Sequence, residues 1–457
     1  MRRGITPRGT YFMDPFGCVK NQVDAENMMA FLNGSGWVSA SDPETADLII
    51  VNSCGFIDSA KRESINAVLS WKKNYPGKKV LLAGCLARRY KKELTESLPE
   101  ADILFGSEDL SEIVSAAGSL SPAAVKIPET PEKPETGRRP LLSLPGSAYV
   151  KISEGCGNRC SFCAIPLIRG GLKSRGSGDI LAECRVLLDR GVRELCLIGQ
   201  DTASYGRDTA QTPSQSAPAD SIERLLAAIS GLEGDFWVRL LYLHPDNFPF
   251  SILDIMAADR RILPYFDIPL QHGSARILAA MNRRGSAEAY LDLAARIRDR
   301  LPGAVLRSTF MTGFPGETDG DFERLLDFQE KIRLDWLGVF DYSREEDTPA
   351  CSMKEQVPKK ISQRRRRIVE ERQIPITEKN LDRFVGGTCD VLVEERLEAG
   401  TQTGPLYLGR LYCQAPEVDG SAVIVPENGG EDAPRPGTFI RGLVTGRSGF
   451  DLTVRKL

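Results

Sequence analysis

The run Glu154-Gly155-Cys156-Gly157-Asn158-Arg159-Cys160-Ser161-Phe162-Cys163-Ala164-Ile165-Pro166 spaces three cysteines as C-x3-C-x2-C. It follows directly on residues 148–153, an apolar stretch that reads as a strand. Spacing this close obliges a loop to wrap one object with its sulfurs turned inward. A structural zinc site asks for four ligands, usually as two C-x2-C knuckles. No further Cys or His lies near, and the next cysteine, Cys184, falls in a predicted helix. Three thiolates on a cluster of four irons leave one iron open to a substrate, whereas a fully ligated cluster mainly carries electrons.

Outward from this loop, residues 148–343 alternate strand and helix. Candidate strands are 148–153, 194–199, 236–243, 265–270, 305–311 and 336–342. Candidate helices include 179–189, 222–229, 274–281, 287–300 and 319–332. Six βα units fall short of a closed eight-unit barrel. They predict an open, partial (β/α)6 barrel with its mouth at the strands' carboxyl ends.

Upstream, residues 10–118 repeat the rhythm, with strands at 10–16, 47–51, 79–83 and 102–105 and helices at 23–32, 59–71 and 88–97. This predicts a parallel α/β domain. A second set of cysteines, Cys18, Cys54 and Cys85, each comes within about three residues of a strand end. Ligands of open α/β sheets bind beyond the strands' carboxyl ends, so three thiols distant in sequence are placed to converge there. Free cysteines are often simply buried, but the repeated position favours ligation. Cys184, Cys196, Cys351, Cys389 and Cys413 lie outside both neighbourhoods and read as structural.

Between the two βα regions, residues 119–146 hold six prolines and read as a linker. Residues 359–384 are charged and helical, with a basic run at 364–367. Beyond Gly386-Gly387, short strands at 388–394, 406–413, 422–425, 438–445 and 451–456 predict a small OB-like β barrel. The expected boundaries are 8–120, 121–141, 142–375 and 377–457. Composition is that of a soluble globular chain, 41% hydrophobic and 26% charged, with net charge −3. No apolar run spans a bilayer and none follows Met1-Arg2-Arg3, so a cytoplasmic location is expected. There cysteines stay reduced, which suits ligands better than disulfides.

The compact triplet, with Phe162 before its last cysteine, resembles the signature of the radical S-adenosylmethionine superfamily. The resemblance implies that the open iron chelates S-adenosylmethionine, which one electron cleaves to a 5′-deoxyadenosyl radical. The cofactor supplies the hard chemistry, and the protein positions it and excludes water. Phe162, Gly199, Gln200, Gln271, Thr312, Gly313 and Glu317 are the candidate contacts. T-G-F-P-G-E at 312–317 alone is an ordinary turn, but it follows the fifth strand. His244 and His272 also follow strands on the active face, and the sequence assigns them no role.

Across nearly its full length the chain resembles the methylthiotransferase family: an N-terminal methylthiotransferase domain, a radical domain and a C-terminal TRAM barrel. G-C-V-K-N-Q-V-D-A-E, N-S-C-G-F-I-D-S-A-K and A-G-C-L-A-R-R-Y carry the likeness in the first domain. Q-D-T-A-S-Y-G, P-Y-F-D-I-P-L-Q-H and A-P-E-V-D-G look like the RimO branch, which modifies an aspartate β-carbon on the decoding-centre small-subunit ribosomal protein. The transfer-RNA branch tends to carry P-V-Q-S-G-S where this chain has Pro269-Leu270-Gln271-His272-Gly273-Ser274. Val19, where relatives often have proline, and Asp14-Pro15-Phe16 depart from the pattern beside a ligand.

The family resemblance implies two [4Fe–4S] clusters, on Cys156/Cys160/Cys163 and on Cys18/Cys54/Cys85. It also implies S-adenosylmethionine, a reduced ferredoxin or flavodoxin, a sulfur donor and a basic ribosomal protein as partners. From 377 to 457 twelve Asp/Glu face nine Lys/Arg, a net of −3. A barrel gripping RNA would be basic, whereas an acidic one suits a basic protein. Rival readings are a transfer-RNA adenosine methylthiotransferase and, more distantly, a non-catalytic iron–sulfur RNA-binding protein.

Overall fold

A computed structural model describes residues 8–120, 137–209, 220–397, 405–425 and 433–457. Most of the Pro-rich stretch expected as a linker lies outside the described residues. The first unit is a five-stranded parallel sheet in the order Trp37–Ser39, Gly9–Pro15, Leu48–Ser53, Lys79–Gly84, Ile103–Phe105. Leu48–Ser53 is buried at every position, as a strand covered on both faces must be. Met28, Leu32, Val114 and Ala117 pack on one face, and Val68, Leu86 and Leu94 on the other. The edge strand Trp37–Ser39 escaped the sequence reading because only Trp37 of its three residues is buried. The helix expected at 23–32 begins earlier and runs Val19–Gly34. Its first turns bury polar Lys20, Asn21 and Glu26, which hides the apolar periodicity.

All six strands expected for the central unit are present. Ser147–Lys151, Glu194–Ile198 and Trp237–Leu240 form one parallel triple, and Tyr265–Asp267, Val305–Thr312 and Trp336–Asp341 a second. A parallel bridge between Val238 and Ile262 links the first triple to the segment that leads into Tyr265–Asp267. Among the described residues nothing pairs the first strand with the last, so the barrel stays open. The five expected C-terminal strands, Thr388–Leu397, Leu406–Arg410, Ala422–Val425, Phe439–Ser448 and Asp451–Lys456, close into a barrel. No described helix is long and apolar enough to cross a membrane.

The small barrel seats against the amino ends of the central strands. Trp237 packs its ring 4.6 Å from Phe439, and Trp336 Nε1 donates to Cys413 O at 2.7 Å. Beside them lies a fully buried charge cluster. Glu194 pairs with Arg239 at 2.8 Å and with Arg410 at 2.5 Å, and it accepts from Ser147 Oγ. Tyr265 donates to Asp419 at 2.6 Å. Burial alone would raise Glu194, but the guanidinium groups of Arg410 and Arg239 hold its carboxyl down at about 2, below the ordinary 4.5.

A carboxyl lowered on folding contributes stability above its unfolded pKa and loses it as pH falls toward the folded value. Glu194→Gln is therefore expected to cost about 3 kcal/mol at pH 7, because it leaves buried guanidinium charge less compensated. It should also flatten the loss of stability between pH 4.5 and 2. Thermal melts across that range check both; a variant melting parallel to wild type at every pH would remove the assignment.

Candidate active site

Cys54 directly follows Leu48–Ser53, Cys85 directly follows Lys79–Gly84, and Cys18 stands just beyond Gly9–Pro15. These are three adjacent parallel strands, and the order in which the chain adds strands to the sheet changes sense between the first two, the switch point at which open sheets bind ligands. Close packing of the loops brings the thiols together. A Cβ on Gly17 would lie 3.0 Å from Cys54 Cβ, and one on Gly55 only 2.8 Å from the main chain of Cys85. Asn21 Nδ2 donates to Ser53 O at 2.8 Å, and Asn52 Nδ2 donates to Asn21 O at 2.7 Å. Burial, and then the neighbouring Cys18 and Cys85, push the Cys54 thiol up to about 11.

The compact triplet lies in the loop between the paired strands Ser153–Glu154 and Lys173–Ser174. Gly155 opens it at φ +69°, where a Cβ would fall 2.1 Å from Gly171 O, so only glycine fits. Asn158 N donates to Cys156 Sγ at 3.4 Å, and its Nδ2 donates to Asp201 at 2.7 Å. Asn247 Nδ2 also donates to Asp201, at 2.8 Å. Ser161 fastens the far side: its Oγ donates to Ala280 O at 2.7 Å, and its O accepts from Ala350 N at 2.8 Å. Burial, and then Cys160 and Cys156, push the Cys163 thiol up to about 12.

His244 Nε2 stands 3.9 Å from Cys160 Sγ, while Nδ1 accepts from Asp246 N at 3.3 Å. Burial, then Arg283, lower this imidazole to about 4, so it is neutral with its proton on Nε2, facing the sulfur.

Arg169 bridges Cys85 to Glu154, two residues before Cys156. It ends the short helix Ile165–Arg169 that follows Cys163. Its guanidinium donates to Cys85 Sγ at 3.2 Å, Asp24 at 3.0 Å and Glu154 at 2.6 Å. The helix carrying Asp24 lies over the mouth, with Val23 packed into the same apolar cluster as Tyr149, Ile198 and Leu241. Lys61 and Arg89 grip Glu345 from the other side, at 2.9 and 2.7 Å.

Among the described residues no group of three or more His, Cys, Asp and Glu closes on a single metal ion. Thiols are the ligands by which proteins hold iron–sulfur clusters, and each triad supplies three. Just beyond the carboxyl ends of the central strands, both amide atoms of Gln200, Gln271 Oε1, Ser153 Oγ and Tyr342 OH are buried without a hydrogen-bond partner. Such orphans fit a polar ligand. A Cβ on Gly199 would stand 2.6 Å from Ser153 Oγ.

Other sequence candidates are already engaged. Thr312 Oγ1 donates to Ser362 O, Gly313 N donates to Glu317 at 2.8 Å, and Arg365 donates to the same carboxylate at 2.7 Å. Phe162 packs against the layer between strands and helices. His272 is engaged on one side only: Nδ1 accepts from Ser274 N, while Nε2, 3.6 Å from Glu317 Oε2, is buried without a hydrogen-bond partner. Sequence reasoning passed over Lys20, Ser153, Asn158, Asp201, Asn247, Arg169 and Tyr342. Asp201 lay inside the quoted run Q-D-T-A-S-Y-G. The left-handed backbone of Tyr242 (φ 63°) and Gln271 (φ 71°) had no signal in residue type.

Three family models match the chain: Uncharacterized protein family UPF0004 at residues 10–106, the Radical SAM superfamily at 150–328, and the TRAM domain at 385–456. Among curated relatives, the ribosomal protein uS12 methylthiotransferase RimO of Treponema denticola is 47% identical, with 96% of this chain and 99% of that protein covered. Its namesake from Pelotomaculum thermopropionicum is 40% identical, covering 96% and 97%. Of solved structures, the radical S-adenosylmethionine methyltransferase TsrM from Kitasatospora setae, with cobalamin and a [4Fe-4S] cluster bound, aligns at TM-score 0.53. It covers 76% of this chain and 74% of its own at 14% identity, a likeness of fold.

Gly55→Ala should drive the Cys54 loop off Cys85 and cut iron uptake on reconstitution to about half, because one of two triads loses its spacing. Gly77→Ala, with nothing within 4 Å of its Cβ, is the control. Equal iron in both variants would show that the close approach at Gly55 does not matter.

Proposed function

The chain belongs to the RimO family of radical S-adenosylmethionine methylthiotransferases, and from that premise we propose that it adds a methylthio group to the β-carbon of an aspartate in ribosomal protein uS12, in the cytoplasm. The observation that carries this reading is the two sets of three thiols at strand ends, with Arg169 bridging Cys85 of one to Glu154 beside the loop of the other. Cys156, Cys160 and Cys163 would hold one [4Fe–4S] cluster, and Cys18, Cys54 and Cys85 a second. Gln200 and Gln271 would take polar groups of S-adenosylmethionine, with Gly199 leaving room beside them. Phe162, Thr312, Gly313 and Glu317 would shape the surrounding wall.

When bound, these groups supply a carbon-centred radical and a sulfur, which suits a C–H bond too weakly acidic for a general base. The chain's own residues hold and orient. Asp201, with Asn158 and Asn247, braces the loop behind Cys156. His244 presents an N–H toward Cys160. Arg169 donates to Cys85 and keeps the first domain's loops against the barrel. The helix Val19–Gly34 covers the mouth and excludes water from it. Electrons would come from a reduced ferredoxin or flavodoxin, and sulfur from a separate donor.

Two single variants and one deletion test this. Cys18→Ala should lower reconstituted iron to about half, and Cys156→Ala should stop release of 5′-deoxyadenosine. In cells lacking the gene, uS12 should lose the mass of one methylthio group while transfer RNA keeps its own. A loss confined to transfer RNA would overturn the substrate assignment.

A further inference from the structure

Lys20 lies two residues beyond Cys18, in the first turn of the helix Val19–Gly34. The residue is only 7% exposed. Among the described residues its ammonium makes no hydrogen bond and has no carboxylate within ion-pair distance. Its cationic neighbours differ. Arg169 and Lys151 each pair with both Asp24 and Glu154, and Arg307 pairs with Asp267. The contact that Lys20 does make is with an aromatic face: Nζ stands 3.1 Å from the ring centroid of Tyr242.

Tyr242 is held for that contact. It follows the strand Trp237–Leu240 at the mouth, with φ +63°. A bulky side chain in this region costs about 1–3 kcal/mol and persists where its surroundings enforce it. Thr202 enforces it here, donating its N–H to Tyr242 O at 3.0 Å. Two residues further on, His244 faces Cys160. The ammonium therefore sits beside the loop of Cys18 and over the segment 242–244, which leads from the strand Trp237–Leu240 to the histidine that faces Cys160.

An ammonium taken out of water is costly unless it is paired, and a cation–π contact offsets only about 2 kcal/mol of that. Cys18, Asp267 and Glu154 lie near enough to act on Lys20 electrostatically, but neither carboxylate forms an ion pair with it. An anion small enough to enter the mouth would complete the pair. We propose that Lys20 receives the side-chain carboxylate of the substrate aspartate, and so selects an acid over its amide. The proposal rests on the uS12 reading and adds to it a residue that determines specificity. In aspartate the β-carbon is bonded directly to the carboxyl carbon. An anchored carboxylate thus fixes the reacting carbon one bond from its tether, the kind of positioning that raises rate without new chemistry.

The test uses the reconstituted full-length enzyme, uS12, and a uS12 form with asparagine at the target position. Wild type should bind the aspartate form at least about tenfold tighter, the worth of a charged hydrogen bond. Lys20→Met should weaken binding of the aspartate form by about that factor and leave the asparagine form within about twofold. Lys20→Arg should recover part of the preference. Should Lys20→Met take up no iron, Lys20→Gln carries the same comparison. Equal affinity of wild type for both forms overturns the proposal, as does an equal weakening of both in the variants, which would mark Lys20 as a counter-ion to its cysteine. Failure of the parent reading looks different: uS12 then gains no methylthio mass from wild type.

Discussion

The guanidinium of Arg169 reaches a cysteine 84 residues away in sequence and touches the elements that frame both thiol loops. It donates at once to Cys85, Asp24 and Glu154 from a nearly buried position. Removing one member of such a cluster strands the others in low dielectric, at about 3–5 kcal/mol. Its planar fork matters as much as its charge, because three acceptors in different directions need several fixed N–H groups. Arg139, paired with Glu26, and Glu345, paired with Lys61 and Arg89, extend the same seam on either side. The first domain is thus fixed over the mouth by charge, while the small barrel is fixed to the base by aromatic packing as well as charge.

Much of this was legible in the residues. Apolar runs ending in cysteine gave the sheet edge, because strand burial and thiol position both survive in sequence. C-x3-C-x2-C gave the compact loop for the same reason. The polar residues of the mouth were not legible. Lys20 and Arg169 are ordinary surface types whose burial depends on a domain packing against them from far along the chain. Tyr242 adopts a backbone that residue type disfavours. Thr312, Gly313 and Glu317 illustrate the converse. They form the turn the sequence implied, but their polar atoms are bound to one another and to the helix Lys359–Leu381.

The small barrel turns less of its charge outward than its composition suggests. Its charge count included Glu394, Arg410 and Asp419, which face inward: Arg410 pairs with Glu394 and Glu194, and Asp419 with Arg307. These charges present nothing to a partner. A-P-E-V-D-G, quoted as a mark of the branch, supplies Ala415 and Asp419 to the floor of the central barrel, where Asp419 accepts from Tyr265 and from Ala415 N. That motif serves the seat between two domains, so a sequence signature of substrate choice need not lie where substrate binds.

The floor has a consequence for how the chain is made. A ribosome delivers Glu194 and Arg239 long before Arg410, and the six central strands before the loop that seals them. Until that loop emerges, the barrel carries an uncovered charged base together with the apolar rings of Trp237 and Trp336. The middle of this molecule therefore completes its base only with residues from far along the chain. Its last step waits on the carboxyl-terminal barrel, and a nascent chain halted before residue 410 exposes the surface that chaperones recognise.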